Sequence, residues 1–393
     1  MGGVYITGLG AVTCLGSGVD RLWHGMTTGH SAPVPAEDPH AHVAQRLLYA
    51  VPPHAFAPSS AVGTAGAATR YAIESVRQAV ADAGLGDAER RAAAVVAGTG
   101  MGQAGAQEHW RLSGYPDGDG DGPQWTSTFT LGAAVSAWLG ADGPNTTVSN
   151  ACAAGACAIS LAADMVRAGE VPVAIALGAE AYSRVALACF DRLGALDPLS
   201  CRPFTSDRQG TVFGEGAAAV VLESAEYAEA RSAPRVYSRV LGAGWTCDAY
   251  HPTAPEPDGA QIARAMSEAL AEAGASVGDV GVIVPHGTGT HLNDLIESNV
   301  LAEVFGEHAA GIPLYSVKAL LGHTGGAAGA IAAVAAVLIL HKGVVPANVA
   351  LGEQDPECGV WLPSRTAPCA RDLALVNAYA FGGNNISLVL RRP

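Results

Sequence analysis

The sequence predicts an α/β fold built from two similar halves. Short runs rich in β-branched residues alternate with longer stretches of helical composition, which is the pattern of strands and helices packed in layers. The predicted strands are 4–7, 94–97, 146–149, 173–177, 218–222, 282–284, 314–317, 373–377 and 386–390, and helical stretches include 69–83, 155–168, 261–273 and 327–341. Turn-forming residues dominate two further segments, 112–124 and 251–259, which are predicted as loops.

Three blocks of the first half recur in the second half in the same order. Each block pairs a strand with a glycine-rich turn, and the second block leads into an alanine-rich helix in both halves. The pairs are 97–102 with 285–290, 146–155 with 314–329, and 214–224 with 381–390. Internal repetition of this kind indicates two structurally similar units. We therefore expect two halves, 1–230 and 231–393, that share one core and hold a site between them.

Composition and charge exclude several classes of protein. The chain has 393 residues, 49% of them hydrophobic, and a formal net charge of −14, which disfavours nucleic acid or anionic membranes as partners. The start of the chain lacks the basic and apolar segments of a signal peptide, and no CxxC pair occurs among its eight cysteines, so a reduced, cytoplasmic setting is expected. The uncharged segment 324–340 is predicted as a buried core helix because it is short for a membrane span.

The segment SNACAAG, at 149–155, places a cysteine between a predicted strand and a predicted helix. A thiol at a helix N-terminus faces the positive end of the helix dipole, which is expected to lower the thiol pKa and favour the thiolate. Small neighbours leave room for a thioester substrate, so Cys152 is a candidate nucleophile. A buried structural cysteine is an equally good interpretation of this motif alone, and we assign that role to Cys157, Cys189 and Cys247.

A second motif, VPHGTGT at 284–290, places His286 after an apolar strand and before a loop of glycine and threonine. Strand ends beside glycine-rich loops are common positions for sites in α/β proteins. His286 is therefore a candidate catalytic group, and Thr288 and Thr290 are candidate ligand contacts. Taken alone, the motif fits a hydrogen-bonded core histidine slightly better, with a loop that only shapes a turn.

Lys318 and His323 lie five residues apart in SVKALLGHTGGAAG, just before the uncharged segment. The chain has only two lysines, Lys318 and Lys342. A cation beside an apolar helix needs partners, because an unpaired buried charge is costly. The motif therefore indicates either a functional pair or a structural polar network, and the scarcity of lysine favours a functional pair.

The fourth motif, NAYAFGGNN at 377–385, has paired glycines after Phe381. This pattern predicts a tight turn with exposed backbone N–H groups, which can form an oxyanion hole. Phe381 and Gly382 are therefore candidate site residues. The alternative is an ordinary turn before the last strand.

Together, these motifs resemble those of the β-ketoacyl synthases, the elongating Cys-His-His enzymes of the thiolase fold. The resemblance begins at VYITGLGAVTCLG (4–16), includes RPFTSDRQGTVFGEGA (202–217) and reaches the last strand. It implies duplicated αβαβα layers, with two pseudo-symmetric halves and mixed five-stranded sheets. It also implies an acyltransferase that performs decarboxylative Claisen condensation with malonyl-carrier protein in bacterial polyketide or fatty-acid biosynthesis.

The resemblance implies a role for each polar residue of the first three motifs. Cys152 corresponds to the nucleophile that accepts the acyl chain. His286 and His323 correspond to the two catalytic histidines. Lys318 corresponds to the lysine that organises the second histidine.

The resemblance also implies how substrates are held. Phe381 corresponds to the gating phenylalanine, whose backbone N–H joins that of Cys152 in an oxyanion hole beside Gly382. Thr288 and Thr290 correspond to threonines that contact the pantetheine arm. The reaction requires no metal and no dissociable cofactor. The implied partners are an acyl carrier protein bearing phosphopantetheine and a second ketosynthase-like subunit, in a homodimer or a heterodimer.

Several positions depart from the family pattern. Asn150 and Thr205 replace a common threonine and a common aspartate, and Ala332 stands where a glutamate often pairs with the lysine. The segment 57–69 lacks the basic residues that relatives often use for docking a carrier protein, so docking is expected to use arginines elsewhere or a partner subunit. The stretch 291–298 is more similar to discrete ketosynthases of polyketide pathways.

Three other functions compete with an active elongating synthase. A non-catalytic subunit similar to the chain length factors typically lacks the nucleophile, whereas Cys152 is present. A thiolase carries a second catalytic cysteine near its C-terminus, whereas this chain has no cysteine after Cys369. An initiating synthase of the Cys-His-Asn type is disfavoured because Lys318 and His323 occupy the third motif.

Overall fold

A computed structural model describes residues 3–57, 66–112 and 127–393 of the chain. The loop predicted at 112–124 falls outside the described residues except for Leu112, which ends a helix. Most of the 57–69 segment also falls outside them.

Strands and helices alternate along the described residues. The strands are β1 (Val4–Thr13), β2 (Gly16–Ser17), β3 (Val34–Pro35), β4 (Leu47–Tyr49), β5 (Ala94–Gly98), β6 (Asn145–Val148), β7 (Val173–Glu180), β8 (Phe213–Gly214), β9 (Gly216–Ser224), β10 (Ser238–Cys247), β11 (Val280–Val284), β12 (Val344–Val345), β13 (Ala367–Pro368), β14 (Leu373–Ala380) and β15 (Asn384–Arg391). The helices are α1 (Val19–Thr28), α2 (Ala67–Ala83), α3 (Asp87–Ala92), α4 (Ala104–Leu112), α5 (Thr130–Leu139), α6 (Ala154–Arg167), α7 (Arg184–Arg192), α8 (Ala225–Ala230), α9 (Ala260–Glu272), α10 (His291–Phe305), α11 (Val317–Leu321) and α12 (Ala328–Lys342).

The strands of the two halves follow the same order. The first half has the order β6-β5-β7-β9-β1, in which β5 is parallel to both neighbours and β9 is antiparallel to β7 and β1. The second half has the order β11-β14-β15-β10, and a parallel bridge from Ile283 to Leu314 supplies the equivalent of β6. This duplication confirms the predicted fold class. Antiparallel pairing of β1 with β10 joins the halves into one continuous sheet.

Helices cover both halves in five layers. Helices α2 and α5 pack on the outer face of the first half, and α9 and α10 on the outer face of the second. Helices α6 and α12 lie between the two halves, where their side chains form the largest buried cluster. The succession is therefore helix, sheet, helix pair, sheet, helix, as the αβαβα prediction requires.

The two central helices contact each other through small residues. A Cβ atom on Gly155 would lie 2.8 Å from the backbone nitrogen of Ala330, and one on Gly329 would lie 2.6 Å from that of Ala156. The two contacts are related by the pseudo-symmetry of the halves. Only glycine permits backbones to approach this closely, which explains why both helices are rich in small residues.

Helix α12 is apolar around its whole circumference. The stretch Gly325–Lys342 has the length and composition of a membrane span, but every residue from Ala328 to Leu340 is buried among other parts of the protein. A helix that is hydrophobic on all sides belongs in the core of a large fold. Segment 324–340 is thus placed as a core helix, in agreement with the sequence prediction.

Seven strands, β2, β3, β4, β8, β10, β12 and β13, were not predicted, and one predicted strand does not form; the long strand β10 is the main omission. Strand β10 was not predicted, because glycine and polar residues interrupt its β-branched residues and its burial alternates along the strand. The strand predicted at 314–317 is reduced to isolated bridges at Pro313 and Leu314, since Val317 already begins α11. The main helices begin and end within about two residues of the predicted positions.

We expect Gly98→Ala to destabilise the protein by about 1–3 kcal/mol, the usual cost of overpacking a core. Gly98 ends β5 against the start of α6, and a Cβ there would lie 2.4 Å from the carbonyl carbon of Ala154. Chemical denaturation measures the change. Gly311→Ala is the matched control, because nothing lies within 4 Å of a Cβ at that position. Equal stability of the two variants would contradict the proposed backbone contact.

Candidate active site

Cys152 lies in a 3₁₀ turn, Ala151–Ala153, between β6 and α6. Ala151 has a φ of 52°, in the left-handed region that non-glycine residues rarely adopt. This turn reverses the chain sharply at the end of the strand and leaves the Cys152 side chain half-buried rather than inside the core. The strand–turn–helix context predicted for this motif is therefore present, with the α-helix beginning at Ala154.

The pKa of the Cys152 thiol is raised, not lowered. Burial raises it from 9.0 to about 11, although the charge of Lys318 and the backbone N–H groups of Cys152 and Phe381 act in the opposite direction. The expectation of a lowered pKa is therefore wrong for the unliganded site, because desolvation of the thiolate, aided by the charge of Glu180, outweighs these favourable contributions. The sulfur is a thiol at neutral pH.

The backbone N–H groups of Cys152 and Phe381 are close enough to the Cys152 sulfur for both to lower its pKa. Two backbone donors beside the nucleophile are the groups that an oxyanion hole needs. Gly382 does not join them, because its N–H donates to the carbonyl oxygen of Pro252 at 2.8 Å. Its assignment to the oxyanion hole is wrong; with a φ of 88°, Gly382 shapes the turn that presents Phe381.

The two histidines lie together although they come from different elements. His286 follows β11, and His323 follows α11; their ring centroids are 5.6 Å apart, with ring planes at 86°. Both residues are buried. Burial, followed by the charge of Lys318, lowers the pKa of each imidazole well below 6.5. Both rings are therefore neutral at physiological pH, and each offers one N–H donor.

Lys318 contacts the first histidine rather than the second. Its Nζ donates to the carbonyl oxygen of His286 and lies 3.4 Å from His286 Nδ1. An ammonium group has no acceptor, so Nδ1 of His286 accepts and the ring proton resides on Nε2. The role implied for Lys318, organising His323, is corrected: its contacts fix the tautomer of His286, and it acts on His323 through charge alone.

A buried carboxylate stands near Lys318 despite the alanine at position 332. Glu297 accepts hydrogen bonds from the backbone N–H groups of His286 and Gly287, each at 2.7 Å. Burial lowers the pKa of Lys318, and the negative charge of Glu297 acts to raise it. Burial raises the pKa of Glu297 to about 7. Ala332 is buried within α12 and contributes no polar group. Glu297 was missed as a site residue, although the sequence places it one turn beyond Asp294 in α10.

Glu180 is a second carboxylate that the sequence analysis missed. It ends β7 and accepts N–H groups from Gly100 at 2.7 Å, Met101 at 3.0 Å and Gly326 at 2.8 Å. These bonds tie the glycine turn of the first half to the turn that follows His323. An acidic residue at the end of an otherwise apolar strand was the available signal in the sequence.

Thr288 and Thr290 lie side by side, with their hydroxyl oxygens 2.8 Å apart. The backbone N–H of Thr288 donates to Asp294 at 2.9 Å, which fixes the loop. Both threonines line the same cavity as Cys152, His286 and His323.

Two cavities meet at Cys152. The first, of about 410 Å³, contains both histidines and is called the histidine cavity. The second, of about 260 Å³, is bounded mainly by apolar side chains and is called the apolar cavity. Cys152, Phe190 and Phe381 line both. The sulfur can therefore be reached from either side.

An aromatic cluster separates the two cavities. The rings of Phe190 and Phe381 stack with centroids 4.9 Å apart and planes at 11°, and Phe213 packs edge-on against Phe190 at 4.7 Å. The position of Phe381 fits the gating role implied for it. Phe190 was not singled out from the sequence, because a phenylalanine in an amphipathic helix is indistinguishable from a packing residue.

The other departures from the family pattern have local structural roles. The Asn150 amide donates to the Cys157 sulfur at 3.0 Å, which anchors the nucleophile turn to α6. The Thr205 hydroxyl donates to the carbonyl oxygen of Arg202 at 3.0 Å. Neither contact shows the side chain performing the role of the residue that it replaces.

A thiol that shares a cavity with two neutral imidazoles and faces two backbone donors is equipped for acyl transfer through a thioester. Two family models match the chain: the N-terminal domain of β-ketoacyl synthases matches residues 1–228, and their C-terminal domain matches residues 237–351. The chain belongs to the β-ketoacyl synthase family.

Individual relatives are similar over almost their whole length. Nodulation protein E of Rhizobium meliloti (strain 1021) is 34% identical over 403 residues, which cover 99% of each chain. The 3-oxoacyl-[acyl-carrier-protein] synthase 2 of Synechocystis sp. (strain ATCC 27184 / PCC 6803 / Kazusa) is 34% identical over 412 residues, covering 99% of this chain and 98% of the relative. The solved ishigamide ketosynthase/chain length factor superposes with a TM-score of 0.91 at 35% identity, covering 100% and 99%.

We expect alkylation of Cys152 by iodoacetamide to accelerate about tenfold per pH unit from pH 7 to 9, because the reactive thiolate remains a small fraction below a pKa of about 11. Peptide mass spectrometry measures the rate at this residue. Cys189 and Cys247, which are exposed, provide internal controls for the reagent. A rate that levels off near pH 7 would show that the thiol pKa is low.

Proposed function

We propose that the protein is a β-ketoacyl-[acyl-carrier-protein] synthase in which Cys152 carries the growing acyl chain. The observation that carries this proposal is the convergence of Cys152, His286 and His323 on one cavity, with the backbone N–H groups of Cys152 and Phe381 near the sulfur. The chain-length-factor alternative is disfavoured, because a subunit without catalysis has no need of this arrangement.

The first step is transfer of an acyl group to Cys152. The thiol loses its proton to a neutral imidazole of the histidine cavity, and the sulfur attacks the thioester carbonyl. The tetrahedral oxyanion accepts hydrogen bonds from the N–H groups of Cys152 and Phe381. The carrier thiol then departs and takes up the proton. The apolar cavity provides space for the alkyl part of the bound chain.

The second step is decarboxylation of the extender in the histidine cavity. The bond between the malonyl α-carbon and its carboxylate breaks, carbon dioxide leaves, and the electron pair forms an enolate. We assign His286 and His323 as donors to the enolate oxygen. Lys318 supports this assignment, since its contact with Nδ1 of His286 leaves the proton on Nε2.

The third step forms the new carbon–carbon bond. The enolate carbon attacks the acyl carbonyl on Cys152, and the same two backbone N–H groups stabilise the second oxyanion. The Cys152 thiolate is the leaving group and takes one proton from solvent, which balances the loss of the malonyl carboxylate as neutral carbon dioxide. No electrons are gained or lost overall, so the sequence of steps balances without an oxidant or reductant.

We propose an acyl carrier protein bearing phosphopantetheine as the substrate partner, with Thr288 and Thr290 holding the pantetheine arm. The name of the Synechocystis relative supports a carrier protein, and that of the ishigamide structure supports pairing with a ketosynthase-like subunit. A cytoplasmic setting is consistent with eight cysteines that are all free.

Cys152→Ala is expected to abolish acyl loading, because no other thiol faces the two N–H donors. Intact-mass analysis after incubation with straight-chain acyl-pantetheine thioesters measures the adduct. Cys189→Ala is the matched control, since Cys189 also lines the apolar cavity, and it should retain the adduct. An adduct of unchanged yield on Cys152→Ala would disprove the nucleophile assignment.

His286→Ala and His323→Ala are each expected to slow decarboxylation of malonyl-pantetheine by about 10²–10³-fold, the usual cost of removing one donor from a developing oxyanion. Acyl loading should fall less. Release of carbon dioxide is measured separately from acylation of Cys152. His291→Ala, at the mouth of the same cavity, is the control; if it slowed decarboxylation equally, the specific roles of the two histidines would be untenable.

A further inference from the structure

Tyr379 has a buried hydroxyl group without a partner. The residue is 5% exposed, and its hydroxyl accepts and donates no hydrogen bond among the described residues. Other buried tyrosines of the protein are satisfied: the Tyr315 hydroxyl donates to the carbonyl oxygen of Met26 at 3.3 Å, and the Tyr71 hydroxyl donates to Glu215 at 3.2 Å. Buried hydroxyls are nearly always hydrogen-bonded, so an exception calls for a reason.

The position of Tyr379 connects this exception with the active site. It is the penultimate residue of β14, and it lines the histidine cavity but not the apolar cavity. Its ring centroid is 5.3 Å from that of His286. A molecule that satisfies the hydroxyl would therefore occupy the side of the site at which the extender, not the stored acyl chain, is expected.

The charges around Tyr379 determine the protonation state of its hydroxyl and the kind of group that can bind beside it. Burial, together with the nearby carboxylates of Glu297 and Asp248, raises its pKa well above 10, so the phenol stays neutral. Asp248 also lines the histidine cavity. A third carboxylate brought beside these two would be repelled, whereas the neutral carbonyl oxygen of a thioester would be accepted.

We infer that Tyr379 donates a hydrogen bond to the thioester oxygen of the extender, as a third donor beside His286 and His323. The inference rests on the proposed function, because it names a further group for the same decarboxylation. The carbon–carbon bond that breaks and the carbon dioxide that leaves are unchanged; the hydroxyl keeps its proton and stabilises the charge that develops on the oxygen.

Tyr379→Phe tests this role, because it removes the hydroxyl and keeps the ring. The expected result is a fall of about 100-fold in kcat for carbon dioxide release from malonyl-pantetheine, the loss typical of one oxyanion donor. The KM should change little, since the interaction strengthens as charge develops. Acyl loading of Cys152 should be unchanged, and the melting temperature should not fall, because the lost hydroxyl has no partner to leave unpaired.

Tyr315→Phe is the matched control. It removes a buried hydroxyl that has a partner, and Tyr315 does not line the cavity. It should therefore lower the melting temperature and leave the ratio of the acyl-loading rate to the decarboxylation rate unchanged. Three outcomes for Tyr379→Phe would overturn the inference: unchanged decarboxylation, a change in KM alone, or an equal loss in both half-reactions. If the wild-type protein neither loads an acyl group nor releases carbon dioxide, the proposed function itself fails, and the role of Tyr379 fails with it.

Discussion

The close contact between the two central helices is the constraint on which the active site depends. Gly155 packs on Ala330 and Gly329 packs on Ala156, so neither helix can shift without a clash of backbone atoms. Each helix is preceded by a 3₁₀ turn, Ala151–Ala153 or Gly325–Ala327. The helix pair therefore brings together the turn that holds Cys152 and the turn that follows His323, although 171 residues separate these two in the chain. Glu180 reinforces the junction by accepting N–H groups from both halves.

Burial is the second determinant of the chemistry. Desolvation favours the neutral form of four groups at the site: the Cys152 thiol, the two imidazoles and the Glu297 carboxyl, whose pKa is raised to about 7. A neutral histidine is a weaker donor than imidazolium, yet its N–H is available at any physiological pH and does not stabilise the malonyl carboxylate before it departs. In this arrangement the site is preorganised for charge that appears only during the reaction.

In the proposed mechanism, the apolar cavity holds the acyl chain on Cys152 and the histidine cavity holds the extender. The aromatic pair Phe190 and Phe381 lies between them, so movement of one ring changes access on both sides of the sulfur. The backbone N–H of Phe381 meanwhile lies close enough to the Cys152 sulfur to lower its pKa. In the proposed mechanism, Phe381 therefore couples the accessibility of the thioester to the stabilisation of its oxyanion, and Tyr379, near the end of β14, lies on the extender side.

The sequence by itself determined the α/β class, the duplication of the fold, and the identities of Cys152, His286 and His323 as candidates, because these depend on local patterns: strand periodicity, repeated blocks and glycine turns. It did not reveal β10, whose burial alternates between sheet faces, nor the contributions of Glu180, Glu297, Phe190 and Tyr379. Only the tertiary structure decided that Lys318 contacts His286, that the Gly382 N–H is already bonded to Pro252, and that the pKa of Cys152 is raised. Each of these depends on which groups from distant segments surround a residue and how far they exclude water from it, and no local pattern encodes that.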